Sequence, residues 1–310
     1  MSITDRLQRW FFDWFTHKWL PANFRGSRQI EYFRLAQERG YHILPNAFYT
    51  PIPDTDKLPA ALWGEPSSMP GVAMNDEHQL ELALQVFPPY QAEYGQFPTQ
   101  PGADPYAYHQ DNDYFVGLDA IALHCLVRHS RPRRVIEVGS GFSTRITSQA
   151  LRLNGGGELI CIEPYPNPTL RSLPGIQQLL EQPVQQAPLS LFTSLQAGDI
   201  LFIDSTHTVK IGSDVNYLVL EVLPRLQPGV WVHFHDIFLP REYPQEWITQ
   251  TLMFSNEQYL LQAFLAFNSA FEVEFSSATL TVKFAQRLSE QFGGFLRWNE
   301  GCSLWLRKMR

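Results

Sequence analysis

The stretch Arg134-Val-Ile-Glu-Val-Gly-Ser-Gly-Phe-Ser-Thr144 decides the fold. Its first five residues form a short β-branched run of the kind that is buried in a parallel sheet. The glycines at positions 139 and 141 then permit a tight turn, and a helical pattern follows from about Thr144 to Leu153. A strand, a glycine turn and a helix in this order form the opening of a βαβ unit.

Strand-like and helix-like runs alternate on both sides of this segment. A helical run that ends near His129 precedes it. Further strands are predicted at 158–162, 175–181, 199–203, 230–235, 271–275 and 303–307, and further helices at 168–173, 214–226 and 244–267. Because strands separated by helical patterns form βαβ units with right-handed crossovers, the expected fold is α/β, with a doubly wound Rossmann-like sheet.

The first 110 residues differ from the rest. Prolines recur between Pro45 and Pro105, which excludes long regular elements and favours an ordered wrapping segment with short helices, the best of them at 77–86. The sequence therefore predicts a Pro-rich and helical N-terminal extension over residues 1–110 and a sheet domain over residues 111–310.

The opening of the chain predicts a helix with an aromatic face. Five apolar residues follow the i, i+3, i+4, i+7, i+8 spacing, namely Leu7, Trp10, Phe11, Trp14 and Phe15. Pro21 is expected to end this pattern. A helix that docks on protein or forms a homo-oligomer is favoured over an interfacial membrane helix, because Asp13 and the single Lys18 give little attraction to anionic lipid.

Composition and charge exclude several classes of protein. Lys and Arg number 24 against 31 Asp and Glu, a formal net charge of -7, so a nucleic-acid partner is not expected. The three cysteines, Cys125, Cys161 and Cys302, are widely separated, which supports neither a disulfide framework nor a zinc ribbon. No apolar stretch is long enough to span a bilayer, and Asp5 and Asp13 interrupt any leader-like run, so a cytoplasmic location is expected.

The glycine turn and the end of the next strand form a pattern suited to a cofactor. In a doubly wound sheet, ligands bind at the carboxyl ends of the strands, and the acidic residue 22 positions beyond Gly141 can accept the hydroxyls of a ribose. A dinucleotide site requires a third glycine where Thr144 stands, which weakens an NAD assignment, although a GxG turn alone also occurs without any ligand. The candidate cofactor-binding residues are Glu137, Gly139, Ser140, Gly141, Ser143 and Glu163.

Taken together, these residues resemble the class I S-adenosylmethionine-dependent methyltransferases. The resemblance extends over 199–207, Asp-Ile-Leu-Phe-Ile-Asp-Ser-Thr-His, and 228–236, Pro-Gly-Val-Trp-Val-His-Phe-His-Asp, which are similar to a bacterial branch containing sugar, macrolide and catechol-type O-methyltransferases. It implies S-adenosylmethionine as cofactor, a final antiparallel strand, and O-methylation of a hydroxyl on a small molecule or a saccharide. A non-catalytic adenosyl-ligand-binding protein and an N-methyltransferase remain the alternatives.

The resemblance also implies a reaction site at the ends of the fourth and fifth strands. In catechol-type enzymes and their relatives, acidic or amide residues there bind magnesium, and a base lies three residues after the first ligand. The matching positions make Asp204, Asp236 and His235 the expected metal residues, with His207 as base and Asp204 as a catalytic residue. His235 stands where an acidic residue is usual, so the resemblance leaves three alternatives: Mg²⁺, a softer ion such as Mn²⁺ or Zn²⁺, or a site without metal.

Two neighbouring features receive other assignments. Strand alternation places His233 on the same face as His235, and we interpret His233 as a hydrogen-bonded residue beneath the site rather than a ligand. The segment 106–115 is dense in aromatic and polar side chains, which suits either a lid over the site or a solvated loop.

Overall fold

The structure, a computed structural model, describes residues 2–293 and 301–310. The chain divides into two compact units, Met1–Leu58 and Pro59–Arg310. The predicted domains 1–110 and 111–310 remain a prediction, but Leu80, Phe87 and Tyr94 pack in the same core as the sheet of the second unit.

The first unit is helical. Its elements are α1 (Ile3–Trp14), a π-helical turn (Phe15–Trp19), α2 (Leu20–Asn23), α3 (Gly26–Gln37) and a 3-10 turn (Thr55–Lys57). The Ser2 hydroxyl caps α1 by accepting a hydrogen bond from the N–H of Asp5 at 3.1 Å. The helical path continues through Pro21, contrary to the prediction, because a helix tolerates proline in its first turn and Pro21 lies at the start of α2.

The second unit contains a seven-stranded sheet. Its strands are β1 (Arg134–Val138), β2 (Glu158–Ile162), β3 (Ile176–Leu180), β4 (Ile200–Ile203), β5 (Trp231–Phe234), β6 (Phe271–Ser276) and β7 (Leu304–Lys308). The order is β3-β2-β1-β4-β5-β7-β6. The strands β1 to β5 are parallel, and β7 runs antiparallel to both of its neighbours. This confirms the predicted doubly wound Rossmann-like sheet with a final antiparallel strand, and each predicted strand lies within one residue of the observed bounds.

Helices cover the sheet of the second unit. They are α4 (Asp76–Glu81), α5 (Pro88–Tyr94), α6 (Gly117–Ser130), α7 (Phe142–Leu153), α8 (Pro168–Arg171), α9 (Leu189–Thr193), α10 (Asp214–Tyr217), α11 (Gln245–Thr249), α12 (Glu257–Leu265) and α13 (Ser277–Phe292). Shorter 3-10 and π-helical turns are Ala60–Trp63, Leu82–Val86, Val184–Gln186, Leu218–Val222 and Leu223–Arg225. Within the described parts of the chain, no helix is long and apolar enough to cross a membrane.

Alternate residues of the strands enter two different cores. Val135, Leu159 and Phe202 point into one core, which also contains α6 residues. Their neighbours Ile136 and Ile160 point into the other. Because both faces are buried, the strands read as continuous apolar runs rather than as alternating ones.

The predicted helix over 244–267 is wrong, because the chain breaks between α11 and α12. The N–H groups of Asn256 and Glu257 donate to the carbonyl of His207 at 3.0 and 3.2 Å. The Asn256 side chain accepts from the N–H of Val209 at 2.5 Å. These contacts to the loop after β4 replace helical hydrogen bonds, and they place Glu257 at the beginning of α12.

Helix α13 lies between β6 and β7 and was not predicted. It begins where the Ser276 hydroxyl accepts from the N–H of Thr279 at 3.2 Å, and Phe284 interrupts its regular dihedral angles. Its apolar residues Leu280, Leu288 and Phe292 are buried in the sheet core. This helix belongs to the connection from β6 to β7, the strand that pairs antiparallel with both β5 and β6.

Candidate active site

A cavity of about 400 Å³ opens at the carboxyl ends of β1, β2 and β4. Asp204 lines it, together with five of the predicted cofactor-binding residues, Gly139, Ser140, Gly141, Ser143 and Glu163. The lining residues that were not assigned to the cofactor from the sequence are Tyr114, Phe115, Phe142 and Asn167. The cavity therefore lies where ligands bind in doubly wound sheets.

The two glycines of the turn have different roles. Gly139 has a φ of +76°, and a Cβ there would lie 1.7 Å from the carbonyl oxygen of Asp204. A side chain at Gly139 would thus collide with the backbone at the end of β4, and the positive φ is in keeping with the tight turn that the sequence predicts. A Cβ at Gly141 would have no atom within 4 Å, because this position faces open space beside the cavity. Gly141 is the glycine that leaves room for a ligand.

Glu137 stabilises the turn through hydrogen bonds from the first residues of α7. It is fully buried, and its Oε1 accepts hydrogen bonds from the hydroxyls of Ser143 at 2.6 Å and Thr144 at 2.7 Å. The Thr144 hydroxyl also accepts from the N–H of Gly141 at 2.8 Å, so the threonine fixes the turn where a dinucleotide fold would use a third glycine. Glu137 is absent from the described residues that line the cavity, so its predicted cofactor role can only be indirect.

Burial of Glu137 has a consequence for stability. Burial raises the pKa of this carboxyl from 4.5 to about 8, although the two hydroxyl hydrogen bonds act in the opposite direction. Between these pH values the folded chain keeps a proton that the unfolded chain has lost. The contribution of Glu137 to stability is therefore largest below pH 4.5 and falls as the pH rises towards 8, by about 1.4 kcal/mol per pH unit.

Glu137→Gln should remove this pH dependence. We expect the free energy of unfolding of the variant, relative to the natural chain, to rise steadily between pH 5 and pH 8 in urea titrations. Glu272→Gln, on an exposed position of β6, is the control and should leave the pH profile unchanged. A stability difference that is constant across this range would contradict a buried, protonated Glu137.

Glu163 ends β2 and faces the turn. Its Oε2 accepts from the N–H of Ser140 at 3.3 Å, and its Oε1 accepts from the N–H of Tyr165 at 2.8 Å. The hydroxyl of Ser140 is buried beside the cavity with no hydrogen-bond partner among the described residues. A carboxylate with remaining acceptor capacity, an unpartnered hydroxyl and the open space at Gly141 fit an adenosine-containing ligand.

A cluster of acidic and histidine side chains adjoins the cavity at Asp204. Nε2 of His207 lies 3.3 Å from Oδ1 of Asp204 and 3.3 Å from Oδ2 of Asp236. Nδ1 of His207 lies 3.0 Å from Oε2 of Glu257. Both His207 and Asp236 have a φ of +55°, a left-handed conformation that is unusual for residues other than glycine. The structure thus brings together the residues predicted at the ends of the fourth and fifth strands.

The environment of His207 does not favour the predicted neutral base. Burial alone would lower its pKa, but hydrogen bonds to Asp204 and Glu257 and the charge of Asp236 raise the pKa to about 10. The imidazole is then protonated at neutral pH and acts as a donor between carboxylates. Burial would raise the pKa of Asp204, but the charges of His235 and His207 outweigh it and hold that pKa below its ordinary value of 3.8. Asp204 is therefore ionised at neutral pH and can accept a hydrogen bond from His207.

His235 lies on the other side of the same carboxylates. Its Nδ1 is 3.5 Å from Oδ1 of Asp236 and 3.8 Å from Oδ2 of Asp204. Its Nε2 faces Oδ2 of Asp119 at 3.6 Å, and its ring packs against Phe115 at 4.8 Å between centroids. Burial would lower the pKa of His235, but the surrounding carboxylates raise that pKa to about 10. The sequence placed His235 correctly beside Asp204 and Asp236.

The donor atoms of this region suit a metal ion. Asp204, His207 and Asp236 each offer one atom within 4.8 Å of the others, and so do Asp119, His235 and Cys302. Imidazole nitrogen and carboxylate oxygen are ordinary ligands of divalent metals. The predicted metal residues Asp204 and Asp236 fit this function, and His207, predicted as base, joins them as a third donor.

Two functional candidates were missed by sequence reasoning. Glu257 is fully buried and lay inside a helix that was predicted to be continuous. Asp119 lies in the first turn of α6, where an acidic residue is unremarkable, yet it is buried behind His235. Neither had a distinctive signal in the sequence, because Glu257 stands in the polar stretch Ser-Asn-Glu-Gln and Asp119 is a single acidic residue at the start of a helical run.

The assignment of His233 is confirmed by its contacts. Its Nε2 lies 3.0 Å from the hydroxyl of Ser303, and its ring stacks on Phe202 with 4.0 Å between centroids. The segment 106–115 also reaches the cavity, where the exposed Tyr114 stacks on Phe142 at 5.3 Å. His233 therefore packs next to His235 without joining its carboxylate contacts. Tyr114 lines the cavity and remains largely exposed.

Part of the chain matches a known protein family. Residues 136–237 match the family model described as a methyltransferase domain. An uncharacterised protein of Archaeoglobus fulgidus is 32% identical over 173 residues, which are 52% of this chain and 76% of that protein. Asp119 and Glu257 lie outside the segment that the family model covers.

Solved structures that match part of this chain include O-methyltransferases. One is the O-methyltransferase TomG of Streptomyces achromogenes, which is involved in tomaymycin synthesis and was solved with S-adenosylmethionine. The match has 14% identity and a TM-score of 0.40, and it covers 75% of this chain and 90% of that one. Another is an O-methyltransferase of Bacillus cereus in complex with S-adenosylhomocysteine, at 13% identity and a TM-score of 0.37, over 74% of this chain and 90% of that one.

Proposed function

Because this chain belongs to the class I S-adenosylmethionine-dependent methyltransferases, we propose that it methylates a hydroxyl group of a small molecule or a saccharide. The observation that carries the proposal is the position of Asp204. This carboxylate lines the cavity and also contacts both histidines of the adjoining cluster. A proton acceptor at the border of the cofactor cavity is what methylation of a hydroxyl requires.

The cavity residues supply the binding of the cofactor. Glu163 would accept hydrogen bonds from the ribose hydroxyls, and Gly141 leaves its side of the cavity open. Glu137 keeps the turn in shape through Ser143 and Thr144. When bound, S-adenosylmethionine supplies a methyl group that its sulfonium already activates, so no residue has to activate the electrophile.

The cluster residues act on the acceptor. Asp204 would orient the hydroxyl and take its proton as the oxygen bonds to the methyl carbon and the methyl–sulfur bond breaks, which leaves S-adenosylhomocysteine. His207 lies between Asp204 and Asp236 and holds these two carboxylates together through hydrogen bonds. Asp204 and Asp236 are the residues that would hold a divalent cation, which would supply a Lewis acid for the acceptor hydroxyl.

The experiment that tests this function is transfer of a radiolabelled methyl group to pooled hydroxylated acceptors, including saccharides. Label should appear in a product whose ether linkage is shown by mass spectrometry. Label on amine acceptors alone would favour an N-methyltransferase. Tight S-adenosylmethionine binding without transfer to any acceptor would favour a non-catalytic adenosyl-binding protein.

Glu163→Ala should weaken cofactor binding without unfolding the chain. Charge-assisted hydrogen bonds of a carboxylate are worth about 1.5 to 3 kcal/mol, so the Kd for S-adenosylmethionine should rise by about 10- to 150-fold. Calorimetric titration measures this change, with Glu181→Ala, an exposed carboxylate just beyond β3, as control. Unchanged affinity would mean that the ribose lies elsewhere.

A further inference from the structure

The first compact unit presents an exposed apolar face on α1. Leu7, Trp10 and Phe11 are each more than half exposed, and Trp14 is 42% exposed. Their spacing, i, i+3, i+4 and i+7, puts them on one side of the helix. A contiguous exposed patch of large apolar side chains marks a surface that another molecule covers.

The aromatic face continues into an apolar pocket of the same unit. Phe11 stacks on Phe15 with 6.2 Å between ring centroids, and Phe15 stacks on Trp19 with 5.1 Å. Phe15 and Trp19 also line a pocket of about 430 Å³, whose other lining side chains among the described residues are aliphatic or aromatic except for Arg39. Such a pocket can accept a hydrocarbon chain but offers few partners to a polar ligand.

The first unit carries positive charge in a chain that is acidic overall. It contains eight Lys and Arg against six Asp and Glu, a net charge of +2, whereas the rest of the chain has 16 against 25, a net charge of -9. Within the described residues, the ion pairs of this unit are His17 with Asp13 at 3.2 Å and Lys57 with Asp54 at 2.8 Å. Its arginines therefore have no carboxylate partner there and are available to external anions.

Two of these arginines lie beside the apolar pocket. Arg28 precedes the pocket residue Tyr32 by four positions, so both lie on one face of α3. Arg39 lines the pocket, and both arginines are exposed. Apolar side chains flanked by basic ones are complementary to an anionic bilayer, in which acyl chains lie just below negatively charged headgroups.

We propose that the first unit, residues 1–58, is an interfacial anchor that binds the surface of a bilayer containing anionic phospholipids. Trp10, Phe11 and Trp14 enter the boundary between headgroups and acyl chains, where tryptophan and phenylalanine are favoured, and the arginines contact lipid phosphates. With 12 residues, α1 lies on the bilayer and does not span it. The anchor is independent of the proposed methyl transfer.

A second copy of the chain is a less suitable occupant of this face. It would bring the same positive net charge to the interface, which disfavours association. Moreover, α1 is only about 18 Å long at 1.5 Å per residue, so its single face is small against the roughly 800 Å² that each partner of a stable protein interface buries. The low net charge of α1 alone favoured docking on protein, but α3 lies in the same unit and adds Arg28 and Arg34.

Flotation of the full chain with lipid vesicles tests the anchor. Vesicles of phosphatidylcholine with about 30% phosphatidylglycerol should carry the chain upward in a density gradient at low salt, and vesicles of phosphatidylcholine alone should bind it about 10-fold more weakly. Raising the salt to about 1 M shortens the screening length to about 3 Å and should remove this preference for anionic lipid.

Substitutions on the two parts of the surface should have separable effects. Trp10→Glu places a charge on the apolar face and should weaken binding to both kinds of vesicle by about 10- to 100-fold. Arg28→Gln and Arg39→Gln should each weaken binding to the anionic vesicles by about 5-fold and leave binding to phosphatidylcholine vesicles unchanged.

The matched control is Leu220→Glu. Leu220 is also an apolar residue of a helical turn that is more than half exposed, but it lies in the second unit. Its replacement should leave vesicle binding unchanged, and circular dichroism and Tm report folding of every variant. Should Trp10→Glu unfold, Leu7→Glu on the same face of α1 decides the question.

Three flotation results would overturn the anchor. These are the absence of binding to anionic vesicles, equal binding to both kinds of vesicle, and natural vesicle binding by a folded Trp10→Glu or Leu7→Glu chain. A stable dimer in analytical ultracentrifugation that Trp10→Glu dissociates would assign the face to a second copy and would also overturn the anchor. None of these results bears on the proposed methyl transfer, because flotation requires neither S-adenosylmethionine nor an acceptor.

Discussion

Asp204→Asn should lower the rate of methyl transfer by about 10²- to 10⁴-fold, the usual contribution of a positioned proton acceptor. The amide keeps the shape of the side chain but can neither take a proton nor carry the charge that both histidines contact. Single-turnover measurements with saturating cofactor isolate this step from product release.

The control for Asp204→Asn is Asp56→Asn, an exposed carboxylate in the first compact unit of the chain. It should retain the full rate. The expected loss at Asp204 should appear in the rate while the Tm stays near that of the natural chain. An Asp204→Asn chain with natural turnover would place the proton acceptor elsewhere, with Asp236 as the next candidate.

Substitutions at the two glycines of the turn should affect different properties: cofactor binding at Gly141 and folding at Gly139. Gly141→Val should abolish detectable S-adenosylmethionine binding in a folded chain, because the added side chain enters open space beside the cavity. Gly139→Ala should instead prevent stable folding, because its Cβ would lie 1.7 Å from the carbonyl oxygen of Asp204. Calorimetry measures the first effect, and soluble yield with thermal unfolding measures the second.

Gly102→Val serves as the control for this pair, since a Cβ at Gly102 also meets no atom within 4 Å but lies outside the cavity lining. It should change neither binding nor stability. Natural cofactor affinity in Gly141→Val would show that the cavity is not the cofactor site. A well-folded Gly139→Ala chain would contradict the tight approach of the turn to β4.

The sheet could be predicted from the sequence because its signals are local. Short β-branched runs such as β1 and β2 are buried on both faces, and glycine and proline separate them from the helices. Asp204 and His235 could be placed together for the same reason, since the carboxyl ends of parallel neighbours share one edge of the sheet.

The rest of the site depends on contacts between distant segments. Glu257 reaches His207 only because the predicted helix over 244–267 breaks, and the break is made by hydrogen bonds to the backbone of His207, about 50 positions earlier. The altered pKa of His207 follows from the same contacts, so its protonation could not be inferred from the three-residue spacing after Asp204. Asp119 gave no pattern at all, because one acidic residue in the first turn of a helix is ordinary.

The left-handed backbone at His207 and Asp236 has a consequence for selection. Holding such a residue in this conformation costs about 1 to 3 kcal/mol, and glycine adopts it freely. Glycine at both positions would release this strain, but at position 207 it would also remove the imidazole that lies between three carboxylates and leave their charges unpaired. The strained backbone is therefore retained together with the cluster that it positions. Among natural sequences with this fold, glycine at these two positions would distinguish chains that have abandoned the reaction from those that still bear its cost.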